Sequence, residues 1–329
     1  MSNVRKPRAG SMQVWPRVRA RRQYPRVRSW ATSTEKKALG FAGYKVGMTH
    51  IIHVNNIKTS KTKGEEIFCP VTIIECPPLK VSSVRLYSQK NYALQPKTQI
   101  NSKTLDKNLV ERKLLTKNKK SNEDNLSKTT TNDFEDLTLI VHTQPKLIDL
   151  KKKPEVFEIA LGGSKEDKLN YAKEKLGKEI TVKEVFGEGN FVDIHAVTTG
   201  KGFQGPLKRF GITKRAHKAE KSIRNPGSLG PWNAQGHIMY RVAHAGQMGY
   251  HVRTEFNKLI LKISEKAEEV NVKGGYPHYG NVKAAYVLLK GSIPGPCKRL
   301  IRFNQATRPD TTLPKEAPSI IFTSLNSKQ

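Results

Sequence analysis

The chain carries only three cysteines in 329 residues, Cys69, Cys76 and Cys297. An odd count without a CxxC pair excludes a disulfide framework and a cysteine zinc ribbon, and it suits a reducing, cytoplasmic setting. Acid is scarce as well, with 28 Asp and Glu against 59 Lys and Arg and a net charge of +31. Charge on that scale speaks to partners rather than to fold. No apolar run approaches the roughly 18 residues of a spanning helix, and the basic segments lack the sustained amphipathic period of an interfacial one. The sequence therefore reads as having no membrane partner. The remaining polyanion is nucleic acid, whose neutralised phosphates release counterions.

The basic residues are not spread evenly. The first 34 residues hold nine Lys and Arg and no acid. Pro7, Pro16 and Pro25 recur every nine residues and would break any amphipathic targeting helix, so an extended arm is expected. It contains a repeat, Trp15-Pro-Arg-Val-Arg19 and Tyr24-Pro-Arg-Val-Arg28. In an extended chain Arg17 and Arg19 face one way and Val18 the other, which lines one edge with guanidiniums for phosphates or bases. The arm's candidate contacts are Arg5, Lys6, Arg8, Arg17, Arg19, Arg21, Arg22, Arg26 and Arg28.

Strand-like runs follow at 41–54 and 67–87, broken by Gly43, Gly47, Pro70, Pro77 and Pro78. From Asn91 to Asp136 the chain is rich in Lys, Asn, Thr and Ser, and reads as a solvated loop or poorly packed helical insertion. Strands are expected again at 137–142 and 155–161. A helix is expected over Ser164–Leu176, where Ser164 and Asp167 have capping-box spacing and Gly177 marks the stop. Further strands at 180–186, 191–199, 258–263, 284–290 and 299–303, with Gly corners, argue for a closed antiparallel barrel. The expected class is mainly β with an α+β insertion. The expected division is a basic arm at 1–39, barrel parts at 40–88, 180–199 and 257–304, the insertion at 89–179, a basic loop at 200–256 and a tail at 305–329.

That loop is too long, at about sixty residues, for an ordinary connection. From Gly200 to Arg253 it has nine glycines and a single acid, Glu220. So few apolar side chains cannot form a core, and order must come from a polyanionic partner. Its candidate contacts are Lys201, Lys208, Arg209, Lys214, Arg215, Lys221, Arg224, Arg241, Gln247 and Arg253. Gly202 and Gly205 would admit close backbone approach, and His217, Trp232, His237 and His251 supply rings. Gly200-Lys-Gly-Phe-Gln-Gly205 matches GxGxxG after a strand, so a nicotinamide-dependent oxidoreductase is an alternative. A dinucleotide site needs a helix and then a parallel strand ending in an acid, and Gly211, Pro226, Gly227, Gly230 and Pro231 interrupt any such crossover. His237, His244 and His251 lie seven apart with no acid nearby to orient them, so no metal, cofactor or catalytic group is expected.

Several segments resemble a known family. Gly40-Phe-Ala-Gly-Tyr-Lys-Val-Gly-Met-Thr49, Glu75-Cys-Pro-Pro78, Val141-His-Thr-Gln144, Ala196-Val-Thr-Thr-Gly-Lys-Gly-Phe-Gln-Gly205, Ala245-Gly-Gln-Met-Gly-Tyr-His-Val-Arg-Thr254, His278-Tyr-Gly280 and Lys290-Gly-Ser-Ile-Pro-Gly295 stand in the order of the universal large-subunit ribosomal protein L three family. The length is most similar to its archaeal type. The resemblance implies a translation-factor-like antiparallel β-barrel with an inserted lobe and two extensions that penetrate large-subunit rRNA. It also implies neighbouring large-subunit proteins as partners, a place on cytoplasmic ribosomes, and neither enzymatic activity nor a small-molecule substrate. The loop tip would approach the peptidyl transferase centre, with Trp232 matching a tip tryptophan and His217 a histidine that some members methylate. Phe210 and Pro206 depart from the family's usual tryptophan and β-branched residue. A basic RNA chaperone outside the ribosome is the remaining alternative.

Overall fold

The computed structural model describes residues 7–111, 114, 123–230, 236–314 and 316–327. The chain divides into two compact units, Met1–Gln23 with Val197–Arg253, and Tyr24–Ala196 with Thr254–Gln329. The strands are β1 Gly40–Val54, β2 Glu66–Glu75, β3 Leu79–Lys90, β4 Ala93–Asn101, β5 Asp136–His142, β6 Val156–Ala160, β7 Glu179–Ile180 and β8 Phe191–Val197, followed by β9 Phe203–Gln204 and β10 Gly246–Gln247 in the smaller unit. Then come β11 Val252–Ser264, β12 Tyr286–Lys290, β13 Leu300–Gln305 and β14 Ile320–Thr323.

In the larger unit the strands follow the order β13-β8-β11-β12-β2-β1-β14, and β13 also pairs with β1. Six strands thus close into a ring and β14 extends it, so the expected mainly β fold is what forms. Closure requires β1 to bend while pairing with β13 at one end and β2 along its length. Two features permit this. The β1–β2 register shifts between Lys45 and Gly47. At Gly43 a Cβ would sit 2.6 Å from Cys76 Sγ and 2.7 Å from Glu75 O, so only glycine allows the backbones this close. The inner faces meet in a continuous core in which the rings of Phe41 and Phe186 each pack on Phe303, with centroids 6.0 and 5.8 Å away. The C-terminal segment is fastened through β14, and Thr49 Oγ1 donates to Ser324 O at 2.8 Å.

A second sheet, β4-β3-β5-β6 with β7 on β3, makes the insertion. It begins at Leu79 rather than near 89, because β3 takes β4, β5 and β7 as its partners. The segment expected to be a solvated loop or poorly packed helical insertion holds two short helices and, unexpectedly, a strand where it is described. Ala93–Asn101 is the edge strand β4, joined to β3 by a tight turn at Asn91 and Tyr92 with φ of 49° and 60°. Its outer residues are exposed and Pro96 sits on the edge, so it carries none of the apolar alternation by which strands are recognised. The helices α1 Lys107–Glu111 and α2 Glu123–Lys128 bury Leu109 and Leu126. Helix α3 Lys165–Lys175 starts as expected, with Ser164 Oγ accepting from Asp167 N–H at 3.2 Å and Asp167 accepting from Ser164 N–H at 3.1 Å. The strand expected over 180–186 is instead β7 followed by a helical turn, α4 Val182–Val185, whose i,i+3 spacing buries both valines on one side.

Only part of the expected arm, residues 24–39, belongs to this larger unit. Pro25 and Val27 are buried while Arg26 and Arg28 are exposed. The segment is held by Arg302, a buried cation that donates to Pro25 O at 3.3 Å and to Glu158 O at 2.6 Å. Its guanidinium lies 4.3 Å over the Phe157 ring and 5.8 Å from that of Trp30. Burial lowers the Arg302 pKa to about 9 against the opposing pull of Glu158 and Tyr24, and the group stays charged at neutral pH.

Candidate nucleic-acid interface

Within the smaller unit Val197, at the end of β8, and Phe210 are the two buried hydrophobic side chains among the described residues. Burying each is worth roughly 2–3 kcal/mol, whereas ordering each backbone residue costs about 1–2 kcal/mol. Hydrophobic burial cannot order this unit. Its limbs are instead stapled by a two-stranded ribbon. Thr198 N–H donates to His251 O (2.9 Å), Tyr250 N–H to Thr199 O (3.2 Å), Lys201 N–H to Met248 O (2.9 Å) and Met248 N–H to Gly202 O (2.8 Å). Beyond that, β9 pairs with β10. Gly249, at φ +71°, sits where a Cβ would collide with Thr199 O. We expect Gly249→Ala to cost about 1–3 kcal/mol of local stability. Amide hydrogen exchange at Lys201 and Met248 should accelerate while the barrel's unfolding midpoint stays in place; a midpoint that falls with it would mean the ribbon is no separate staple.

The GxGxxG segment enters this ribbon rather than a nucleotide fold. After Gly205 comes a five-residue helix, α5 Pro206–Phe210. The chain then returns through β10, antiparallel to β9, so no parallel crossover follows the motif. Among the described residues no helix is long and apolar enough to cross a membrane, and no group of His, Cys, Asp or Glu is placed to hold a metal ion.

The arm and the loop, separate in sequence, form one body here. Arg17 lies 4.2 Å over the Phe210 ring and donates to Arg209 O at 2.7 Å and Ser11 O at 3.1 Å. Trp15 packs on Phe210 and edge-on to Tyr240, with centroids 5.9 and 5.7 Å away. Ala20 N–H donates to Tyr250 O at 2.8 Å, and Arg8 donates to Arg241 O at 2.6 Å. His251 Nδ1 is 2.8 Å from Val18 O. Arg209 clamps the returning limb, Nε to Gln247 O and a terminal nitrogen to His244 O, both at 3.0 Å. The Gln247 side chain donates to Met248 O and Gly249 O.

These contacts crowd cations. Burial first, and then the charges of Arg209, Arg253 and Arg8, lower the pKa of Arg17, while burial lowers those of Arg209 and Arg253. Burial and the surrounding arginines Arg253, Arg17 and Arg209 also lower that of His251, against the pull of Val18 O. Seven Lys and Arg in the arm portion and ten in the loop portion face one acid, Glu220. Such a surface attracts a polyanion over its whole extent.

The expected contact residues separate by environment. Arg8, Arg19, Arg21, Arg22, Lys201, Lys208, Lys214, Arg215, His217, Lys221, Arg224, His237 and Arg241 are exposed, as are Gly202 and Gly205. Arg17, Arg209 and Arg253 are half-buried and His251 is buried. Arg5, Lys6 and Trp232 lie outside the described residues. The repeat does not present the same face twice, because Val18 is 61% exposed and Val27 is 8% exposed. Two aromatic residues were not singled out by the sequence, Phe203 at 77% and Tyr240 at 71% exposure. An aromatic inside a basic, Gly-rich stretch is the signal that would have found Phe203, since such rings offer stacking faces to unpaired bases.

Comparisons with known proteins identify the family. The family model described as Ribosomal protein L3 matches residues 1–329. The chain belongs to that family. It is 44% identical over 331 residues to the large ribosomal subunit protein uL3 of Archaeoglobus fulgidus, covering 98% of each chain. The uL3 of Methanothermobacter thermautotrophicus is 46% identical over 338 residues, with 100% of this chain and 99% of the relative covered. That of Methanocaldococcus jannaschii is 44% identical over 335 residues, covering 99% and 98%. Family membership gives Glu75-Cys-Pro-Pro78 and the Gly200–Gly205 segment a structural reading: the first sits at the end of β2 against the barrel core, and the second opens the ribbon.

Proposed function

We propose that this chain is a non-catalytic structural constituent of the large ribosomal subunit. In this reading it binds large-subunit rRNA through the smaller unit, assists subunit assembly, and steadies the architecture near the peptidyl transferase centre of cytoplasmic ribosomes, beside neighbouring large-subunit proteins. The relatives' printed names support the large subunit as the setting. The observation that carries the rRNA reading is the imbalance of cations over acid in a unit whose described residues bury two hydrophobic side chains, Val197 and Phe210. Phosphates supply the ordering energy that burial does not.

The phosphate contacts fall to the exposed cations Arg19, Arg21, Lys201, Lys208, Lys214, Lys221 and Arg224. Arg17 and Arg209 act by holding arm and loop together, and Arg26 and Arg28 add a basic edge on the other unit. Binding of the full chain to transcribed large-subunit rRNA, titrated with salt, tests this. Seven phosphate contacts should give a log–log slope of roughly −5 to −6. Micromolar binding of a nicotinamide dinucleotide with salt-insensitive or absent RNA affinity would sink the reading. Retention in salt-washed large subunits separates a constituent from a transient chaperone, which moderate salt should remove.

A further inference from the structure

The smaller unit contains an open hollow of about 440 Å³, within the size range of small-ligand sites. Its lining is of two kinds. Arg8, Arg215 and Arg241 are exposed cations, whereas Ile212, Met239 and Val242 are half-buried apolar side chains. The walls are fixed from three directions. Arg8 of the arm donates to Arg241 O at 2.6 Å, Arg215 donates to Pro226 O at 3.1 Å, and Val242 N–H donates to Met239 O at 3.1 Å. Arg8 and Arg215 spend part of their guanidinium forks in this way, and a guanidinium has five donors to distribute.

A bare phosphate needs cations but has no use for an apolar lining. A duplex keeps its base faces stacked and presents only backbone and groove edges. Apolar side chains ringed by guanidiniums match a group with a flat, weakly polar face and an attached anion. We propose that this hollow receives one unpaired nucleotide of the bound RNA, its base against Ile212, Met239 and Val242 and its flanking phosphates on Arg8, Arg215 and Arg241. The inference deepens the RNA-binding reading above and rests on it. It predicts that the unit distinguishes single-stranded or bulged RNA from continuous duplex, which a surface acting through phosphates alone does not do.

The test uses the full chain and an RNA oligonucleotide carrying 2-aminopurine, either single-stranded or annealed to its complement. Wild-type protein should change the 2-aminopurine fluorescence of the single strand and bind it more tightly than the duplex at equal salt. Met239→Trp, which fills the hollow, should weaken single-strand binding by about tenfold and leave duplex binding within about twofold. Ile212→Ala removes part of the apolar wall without removing a cation, and should show the same selectivity with a smaller loss if Met239→Trp misfolds. Equal losses on both RNAs, or no loss on either, overturn the hollow as a nucleotide site while leaving the RNA-binding reading standing. Absence of salt-dependent binding to either RNA by the wild type overturns that reading, and this inference with it.

Discussion

Replacing Ile212–Tyr240 by a short Gly-Ser linker should lower rRNA affinity roughly a hundredfold near 0.15 M salt and flatten the salt dependence by about two to three units of log–log slope. The magnitude follows from the three phosphate-contacting cations removed, Lys214, Lys221 and Arg224. Each phosphate contact contributes about 0.7–0.9 to the slope. The barrel should hardly respond, because none of the described residues in that span is buried, and the ribbon from Thr198 to His251 remains intact. Its thermal midpoint should move by no more than about 2 °C. Outright unfolding would show that the loop belongs to the core. Unchanged RNA affinity would show that the phosphates are met elsewhere.

The second large effect is on stability. Glu75 is fully buried, and Oε1 accepts from the backbone N–H groups of Lys283 at 2.6 Å and Ala284 at 2.7 Å. Oε2 accepts from the Tyr279 hydroxyl, whose pKa is raised strongly by burial and then by the adjacent carboxylate. The carboxylate thereby fastens the 279–284 segment to the end of β2, next to Cys76 N–H donating to Ala285 O at 2.7 Å. Glu75→Ala removes the acceptor of two part-buried amides and a hydroxyl from a fully buried position, and we expect a loss of about 3–5 kcal/mol, or roughly 10 °C in the unfolding midpoint. Glu75→Gln keeps an acceptor for the amides and should cost only about 1 kcal/mol. Equal losses in the two variants, measured by denaturant unfolding, would assign the role to the charge rather than to hydrogen-bond satisfaction.

The barrel was legible because its strands are apolar and punctuated by Gly and Pro, and each of those signals is local. The capping box at Ser164 and Asp167 was legible for the same reason. Strand β4 was not, since an exposed edge strand is polar along most of its length and draws its order from pairing with β3. The α4 turn was read as a strand because Ile180, Val182, Val185 and Phe186 are β-branched or aromatic, whereas the three-residue spacing of the two valines places them on one side only in a helical turn. In the basic unit, the chemistry was visible as charge, but which arginines face solvent was not. Arg17 and Arg209 look like Arg19 and Arg224 in sequence, and only the packing of arm on loop turns their forks toward backbone carbonyls.

By itself, then, the sequence determined the mainly β class, the family, and the excess of cations on which the proposed polyanionic partner rests, because these depend on composition, local periodicity and residue order. The tertiary structure decided which distant segments share a unit, which of the two five-residue repeats buries its valine, and where apolar and cationic side chains meet around one hollow. Those outcomes depend on contacts between residues some two hundred positions apart, as Arg17 and Arg209 are, and no local pattern encodes the register in which such segments meet.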